Sequence, residues 1–242
     1  KNAKEQIIDN KGVCIGRIDT TYSVFDEDVS LKIDEIVTRI IWAYKLDNPE
    51  ATLWINNLVS YTITYYYGDN LYFTIIIAPE ENKYYDFKNE KQLYKAIKNI
   101  ENETKEFVQK LNGTDEEKLL EIHNWLIKDS KYDQSLEKLN NDNIYGGIIN
   151  KECICSGYMY SFKYIADMAE IPVISVIGKV PNNENTVSEN FFDANHGWNI
   201  AFLDGEWYVI DVTFDVSEGQ KFFKVQLNEY GNIPTKMFEL PK

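Results

Sequence analysis

The chain has 242 residues, of which 44% are hydrophobic and 26% charged, enough for one large domain or two small ones with a proper core. Its 39 acidic residues outnumber 25 basic ones for a net charge of −14, which argues against nucleic acid as a partner, since such binders need a basic footprint. No apolar run approaches the roughly 20 residues that cross a membrane, so no integral membrane segment is expected. No basic–apolar–small leader opens the chain. It starts at Lys1 rather than Met. The expectation is a trimmed secreted or cell-surface protein, with the cytoplasm as the alternative.

The elements divide near Asn112–Gly113 into a region 1–112 of mixed helix and β-hairpin and a second domain, 113–242. Residues 30–46 carry Leu31, Ile33, Ile36, Val37, Ile40, Ile41 and Tyr44 at helical spacing, and Asn48–Pro49 breaks the pattern. Residues 58–67 and 71–78 are rich in Val, Ile, Thr, Tyr and Phe around Gly68-Asp69-Asn70 and read as a hairpin. Residues 89–111 read as a polar helix stopped at Asn112–Gly113. Thr114 and Glu117 have capping-box spacing and open a helix over 115–129. Residues 130–150 are polar and irregular. A helix over 155–169 follows, with Tyr158, Met159, Phe162, Ile165, Ala166 and Ala169 on its apolar face. Ile171–Pro172 ends it, residues 173–178 read as a strand and 181–195 as a loop. Residues 196–203 and 206–214 form a hairpin around Asp204–Gly205, and residues 221–227 supply a further strand.

The three cysteines, Cys14, Cys153 and Cys155, are a poor disulfide framework, and two histidines give no zinc spacing. No metal and no cofactor is expected. Cys155 opens a helix, where free N–H groups and the macrodipole favour a thiolate. Its backbone N–H is also a candidate oxyanion donor, and Ser156–Gly157 would let a substrate carbonyl approach. Taken alone, however, a buried structural thiol is the simpler account.

The hairpin changes that balance. A two-residue turn at Asp204–Gly205 sets Phe202 opposite Trp207, Ile200 opposite Val209 and Trp198 opposite Asp211. Side chains alternate with period two, so His196 and Asp211 share a face as a diagonal pair, about 7–8 Å apart by Cα. The rest of that face is apolar: Trp198, Ile200, Phe202, Trp207 and Val209. Neither polar group is cheap to bury alone, so the two should bond. Asp211 would fix the imidazole tautomer, and His196 would shuttle the thiol proton. Of the other candidates, His123 and Cys153 read as core residues and Asp215 as a cap or pairing partner. Tyr132 and Tyr145 read as structural hydroxyls, with an oxyanion donor as the alternative. The run Tyr65-Tyr66-Tyr67 reads as sheet packing.

These residues resemble the transglutaminase-like superfamily, relatives of papain-type cysteine proteases. The resemblance is carried by CSGYM from Cys155, EIP from Glu170, HGWN from His196 and WYVIDVTFD from Trp207, with Lys131-Tyr132-Asp133 and Tyr145–Gly146 upstream. It spans about 114–226. Departures are Glu170 where Gly is common, Met159 where Ala is common and Phe214 where Trp is common. The resemblance implies an α+β, papain-like core, a nucleophile helix packed on an antiparallel sheet, beside an N-terminal α/β region. It places the nucleophile on Cys155, the base on His196 and the orienting acid on Asp211. It implies acyl transfer on peptide or side-chain amides of a protein or peptide substrate. Hydrolysis is preferred, because nothing in the sequence identifies an amine-binding or calcium site. A glutamine–lysine cross-linker is the alternative, and a non-catalytic cell-envelope binding module is the reading from another class.

Overall fold

The protein is represented by a computed structural model that describes residues 13–23, 28–55, 60–67, 70–77, 87–179, 194–230 and 233–234. In the first unit, residues 1–96, helix α1 (Val29–Asp47) buries Ile33, Val37 and Ile41, one face at a spacing of four. The Asn48 side chain and backbone N–H both donate to the Tyr44 carbonyl, and Pro49 opens a 3-10 turn. The expected hairpin is present as β2 (Ser60–Tyr67) and β3 (Asn70–Ile77), paired from Ser60↔Ile77 to Tyr67↔Asn70. A strand the sequence did not announce, β1 (Val13–Ser23), pairs antiparallel with β3. Gly16, Arg17 and Asp19 interrupt its pattern, and long-range pairing rather than local alternation makes it a strand.

The second unit, residues 97–242, holds the sequence-predicted core. Helix α2 (Glu90–Val108) precedes α3 (Asp115–Ile127). The capping box closes as the spacing requires: Glu117 N–H donates to Thr114 Oγ1 at 3.2 Å, and Thr114 N–H donates to Glu117 Oε2 at 2.8 Å. Leu119, Ile122, His123 and Leu126 form the buried face of α3.

The segment 130–150 is irregular but tightly held. Strand β4 (Lys131–Tyr132) pairs in parallel with β5 (Glu152–Cys153). Between them the Asp133 carboxylate accepts from the Ser135 N–H and hydroxyl, the Lys138 N–H and Asn141 Nδ2. Those bonds, the Ser135 hydroxyl foremost, hold its pKa down at about 2. The Asn141 carbonyl in turn accepts from Ile154 N–H at 2.9 Å, just ahead of helix α4 (Cys155–Met168).

Helix α4 stops at Glu170, whose φ of 59° is left-handed. Ile171 N–H returns to the Ala166 carbonyl at 3.0 Å, a Schellman-type closure. That conformation explains why glycine suits this position.

The main sheet has the order β10-β6-β7-β8-β9, with every neighbouring pair antiparallel. Its strands are β6 (Val173–Lys179), β7 (His196–Leu203), β8 (Glu206–Ile210), β9 (Phe223–Gln226) and β10 (Ile233–Pro234). The β7–β8 hairpin has the predicted register, Leu203↔Glu206 through Ile200↔Val209, around Asp204 and Gly205 at φ 52° and 88°. Its odd positions meet α4: Asn199 Nδ2 donates to the Met159 carbonyl, and a Cβ on Gly197 would lie 2.9 Å from Met159 Sδ. Its even positions, Trp198 and Ile200, join Val176, Val209 and Tyr230 in a second apolar cluster. Phe202, expected on that buried face, is 46% exposed at the hairpin end, stacked aslant on Trp207.

The expected strand 206–214 is corrected. Strand β8 ends at Ile210, and residues Val212–Glu218 form helix α5. The hairpin around Asp204–Gly205 suggested a strand as far as 214, with Trp198 opposite Asp211, but the Asp211 side chain accepts from Phe214 N–H and caps the helix instead. The expected loop 181–195 lies outside the described residues as far as 193.

Candidate active site

Cys155 is the first residue of α4 and is partly exposed. No side chain caps this helix. The Tyr132 phenol lies beside the Cys155 backbone N–H. Burial raises the pKa of that phenol, so Tyr132 stays protonated at neutral pH.

His196 opens β7 opposite Gly178 and is 7% exposed. Its ring stacks on Phe214 at 4.7 Å between centroids and on Trp198 at 5.8 Å. Nε2 lies 2.7 Å from Asp211 Oδ2. The imidazole also interacts electrostatically with the Cys155 side chain. Since Nε2 is committed to Asp211, Nδ1 is the nitrogen left for sulfur. Burial acts to lower the His196 pKa, but its bonds and charge interactions with Asp211 and Cys155 outweigh it and raise the pKa to about 9. These contacts favour the imidazolium form of the ring.

Asp211 is fully buried at the β8–α5 junction. Oδ2 receives His196 Nε2 and, at 2.5 Å, the Tyr230 hydroxyl, while Oδ1 receives Phe214 N–H at 3.2 Å. An ionised carboxylate accepts only, and these three donors suit that state. The structure thus brings Cys155, His196 and Asp211 together, although they come from a helix start, a strand start and a helix cap.

Two residues of this neighbourhood escaped the sequence reading. Tyr230 follows β9 and packs on Trp198 at 5.3 Å as well as bonding Asp211. Phe214 supplies the aromatic face for the imidazole. Phe214 lies in the WYVIDVTFD motif, but that position does not announce a contact with the imidazole, and Tyr230 has no periodicity or motif position at all.

Cys153 is a packing thiol: it is fully buried, and burial pushes its thiol well above the ordinary cysteine range. Gly157 is explained by the same packing rather than by substrate approach. A Cβ there would sit 2.6 Å from both the Asn141 carbonyl oxygen and Cys153 Cβ. His123 is a core histidine with a defined partner, since Nε2 lies 2.9 Å from Asp215 Oδ2 and both side chains are fully buried. Asp215 also accepts from the N–H groups of Lys221 and Phe222. Phe222 returns to the site: its carbonyl accepts from Asp211 N–H, and its ring packs on Phe214. Tyr145 precedes a π-helical turn at 146–150, its N–H held by Asn143 Oδ1. Among the described residues, no three His, Cys, Asp or Glu side chains gather as a metal site. No described helix is long and apolar enough to cross a membrane.

Residues 88–212, just over half of the chain, match the model of the transglutaminase-like superfamily. The chain belongs to this superfamily. Membership supports an enzyme of the cysteine-dependent kind and agrees with the α+β fold described above. No curated protein matches the chain. Several solved structures do. One, a TGase, is 14% identical at a TM-score of 0.35, with 63% of this chain and 43% of that one covered. A proposed cysteine protease from Cytophaga hutchinsonii is 13% identical at a TM-score of 0.39, with 73% and 65% covered. The periplasmic domain of TgpA from Pseudomonas aeruginosa, bound to ethylmercury, is 14% identical at a TM-score of 0.36, with 67% and 68% covered. This chain therefore spans less than half the length of the TGase and just under two thirds of the Cytophaga protein.

Proposed function

We propose that this transglutaminase-like protein is a cysteine hydrolase that cleaves peptide or side-chain amides through Cys155, His196 and Asp211. The observation that carries the reading is His196, whose ring lies 2.7 Å from the buried Asp211 carboxylate and interacts electrostatically with the Cys155 side chain. The sulfur lies at a helix N-terminus beside the imidazole, and a thiolate is the attacking form.

The thiolate attacks the amide carbon, a C–S bond forms, and the carbonyl oxygen takes the negative charge. His196 gives its proton to the departing nitrogen as the C–N bond breaks. The neutral imidazole then takes a proton from water, whose oxygen attacks the thioester. The carboxylic acid leaves and the thiolate–imidazolium pair is restored. Asp211 keeps Nδ1 aimed at sulfur by holding Nε2.

The test is activity-based labelling. An iodoacetamide-type probe should label wild-type protein at Cys155, and Cys155→Ala should abolish both labelling there and amide cleavage. Cleavage that survives in Cys155→Ala would overturn the reading. Water as the acceptor predicts a free acid product even with a lysine-like amine present. Dominant amine incorporation would identify a cross-linker instead.

A further inference from the structure

The apolar cluster on the even face of the main sheet is closed from outside the family-matched core. That match ends at residue 212, whereas Tyr230 lies in the segment joining β9 to β10. These two strands form opposite edges of the sheet. The segment starts with a turn in which Glu229 and Tyr230 N–H groups both return to the Gln226 carbonyl. It ends where Ile233 and Pro234 pair with Lys179 and Gly178 of β6. Gly178 is also the partner of His196 across β6–β7, and its carbonyl accepts from Asn195 N–H at 2.8 Å. The C-terminal segment is therefore tied to both ends of the histidine–aspartate pair.

Tyr230 is only 8% exposed, its ring lies on Trp198 and its hydroxyl donates to Asp211 Oδ2. That oxygen is the same atom that His196 Nε2 contacts. Two donors thus share one carboxylate oxygen, and each draws on the same negative charge. A tyrosine needed only for packing would serve as well as phenylalanine. The hydroxyl has a different consequence, because it spreads the carboxylate charge away from the imidazole.

We propose that Tyr230 is a positioning residue of the active site, its phenol holding Asp211 Oδ2 beside His196 and limiting how strongly the carboxylate binds the imidazolium. The inference rests on the reading of Asp211 as the orienting acid. Among the described residues, Cys155 from α4 and Tyr230 itself are titratable groups that face this pair. Asp215 of α5 is directed to His123 instead, and Lys179 ends β6 in register with Ile233.

The test uses Tyr230→Phe in the full chain, which keeps the ring and removes the donor. The chain has two histidines, so labelled-histidine NMR resolves the His196 titration directly, with His196→Gln fixing its assignment. Loss of the phenol should return charge to the imidazole and raise the His196 midpoint by about half a unit to one unit. The alkaline limb of Cys155 alkylation should move with it, and kcat should fall several-fold at constant KM. A His196 midpoint equal to that of the wild type would overturn the proposal and leave Tyr230 as packing alone. Failure of the parent reading has a separate signature, amide cleavage surviving in Cys155→Ala, and the NMR comparison remains decisive in that event.

Discussion

Replacing Asp211 with Asn keeps the size of the side chain but removes its charge. The wild-type carboxylate accepts three donors, from His196, Tyr230 and Phe214. An amide has one acceptor oxygen and an NH2 group, so either rotamer sets donor against donor somewhere. With oxygen toward His196, the NH2 meets Phe214 N–H, and the α5 cap, worth about 1 kcal/mol, is lost. With oxygen toward Phe214, the NH2 meets His196 and Tyr230. In both cases the charge that helps lift the His196 pKa to about 9 is gone. Burial, the largest single influence on this group, then acts against the imidazolium with only Cys155 opposing it. A fall of roughly two pK units is expected, equivalent to about 3 kcal/mol of differential interaction.

The stability effect has a definite sign. The folded pKa lies above the unfolded value of 6.5, so the charged histidine stabilises the fold fully below that pH and loses its contribution as pH rises through about 9. Asp211→Asn should therefore be most destabilising below pH 6.5 and approach the wild type in alkali, apart from the lost cap. Histidine NMR titration checks the midpoint, and urea unfolding at two pH values checks the linkage. A His196 midpoint in Asp211→Asn that matches the wild type would refute the electrostatic account.

Other outcomes follow from the same contacts. Iodoacetamide should modify Cys155 ahead of Cys153 in the native protein, because Cys153 is fully buried with its thiol held neutral; peptide mapping showing Cys153 modified first would contradict the assignment. His123→Ala should cost about 1–3 kcal/mol in urea unfolding by removing one buried partner of Asp215, and a cost under about 0.5 kcal/mol would show the pair to be dispensable. Gly157→Ala should lower stability by about 1–3 kcal/mol and slow Cys155 labelling, since its methyl displaces Asn141 or Cys153. Unchanged melting and labelling would argue that this turn is not close-packed. Glu170→Gly should raise the melting temperature modestly, by about 1 kcal/mol of stability, by relieving a left-handed φ of 59°.

Local signals succeeded where one segment contains its own partner. The Thr114–Glu117 box is four residues long and closed as written. Asp204–Gly205 joins adjacent strands, so turn chemistry and period-two alternation set the register that brings His196 near Asp211. The same alternation misled at 211–214, where an N-cap competes with strand propensity and a single side-chain bond decides the outcome. Phe202 shows a further limit, because pattern assigns a face but not whether anything covers it.

What the sequence by itself determined is most of the local elements and the candidate residues Cys155, His196 and Asp211, since helix starts, tight turns and side-chain alternation are short-range properties. Tertiary structure alone decided that Tyr230 bonds Asp211, that Phe214 stacks on His196, and that His123 and Asp215 hold the loop behind the site. These contacts join residues from separate elements, Tyr230 to Asp211 across 19 positions and His123 to Asp215 across 92. No local period encodes such pairings, because they form only when packed faces meet and buried polar atoms must find the partners that burial places beside them.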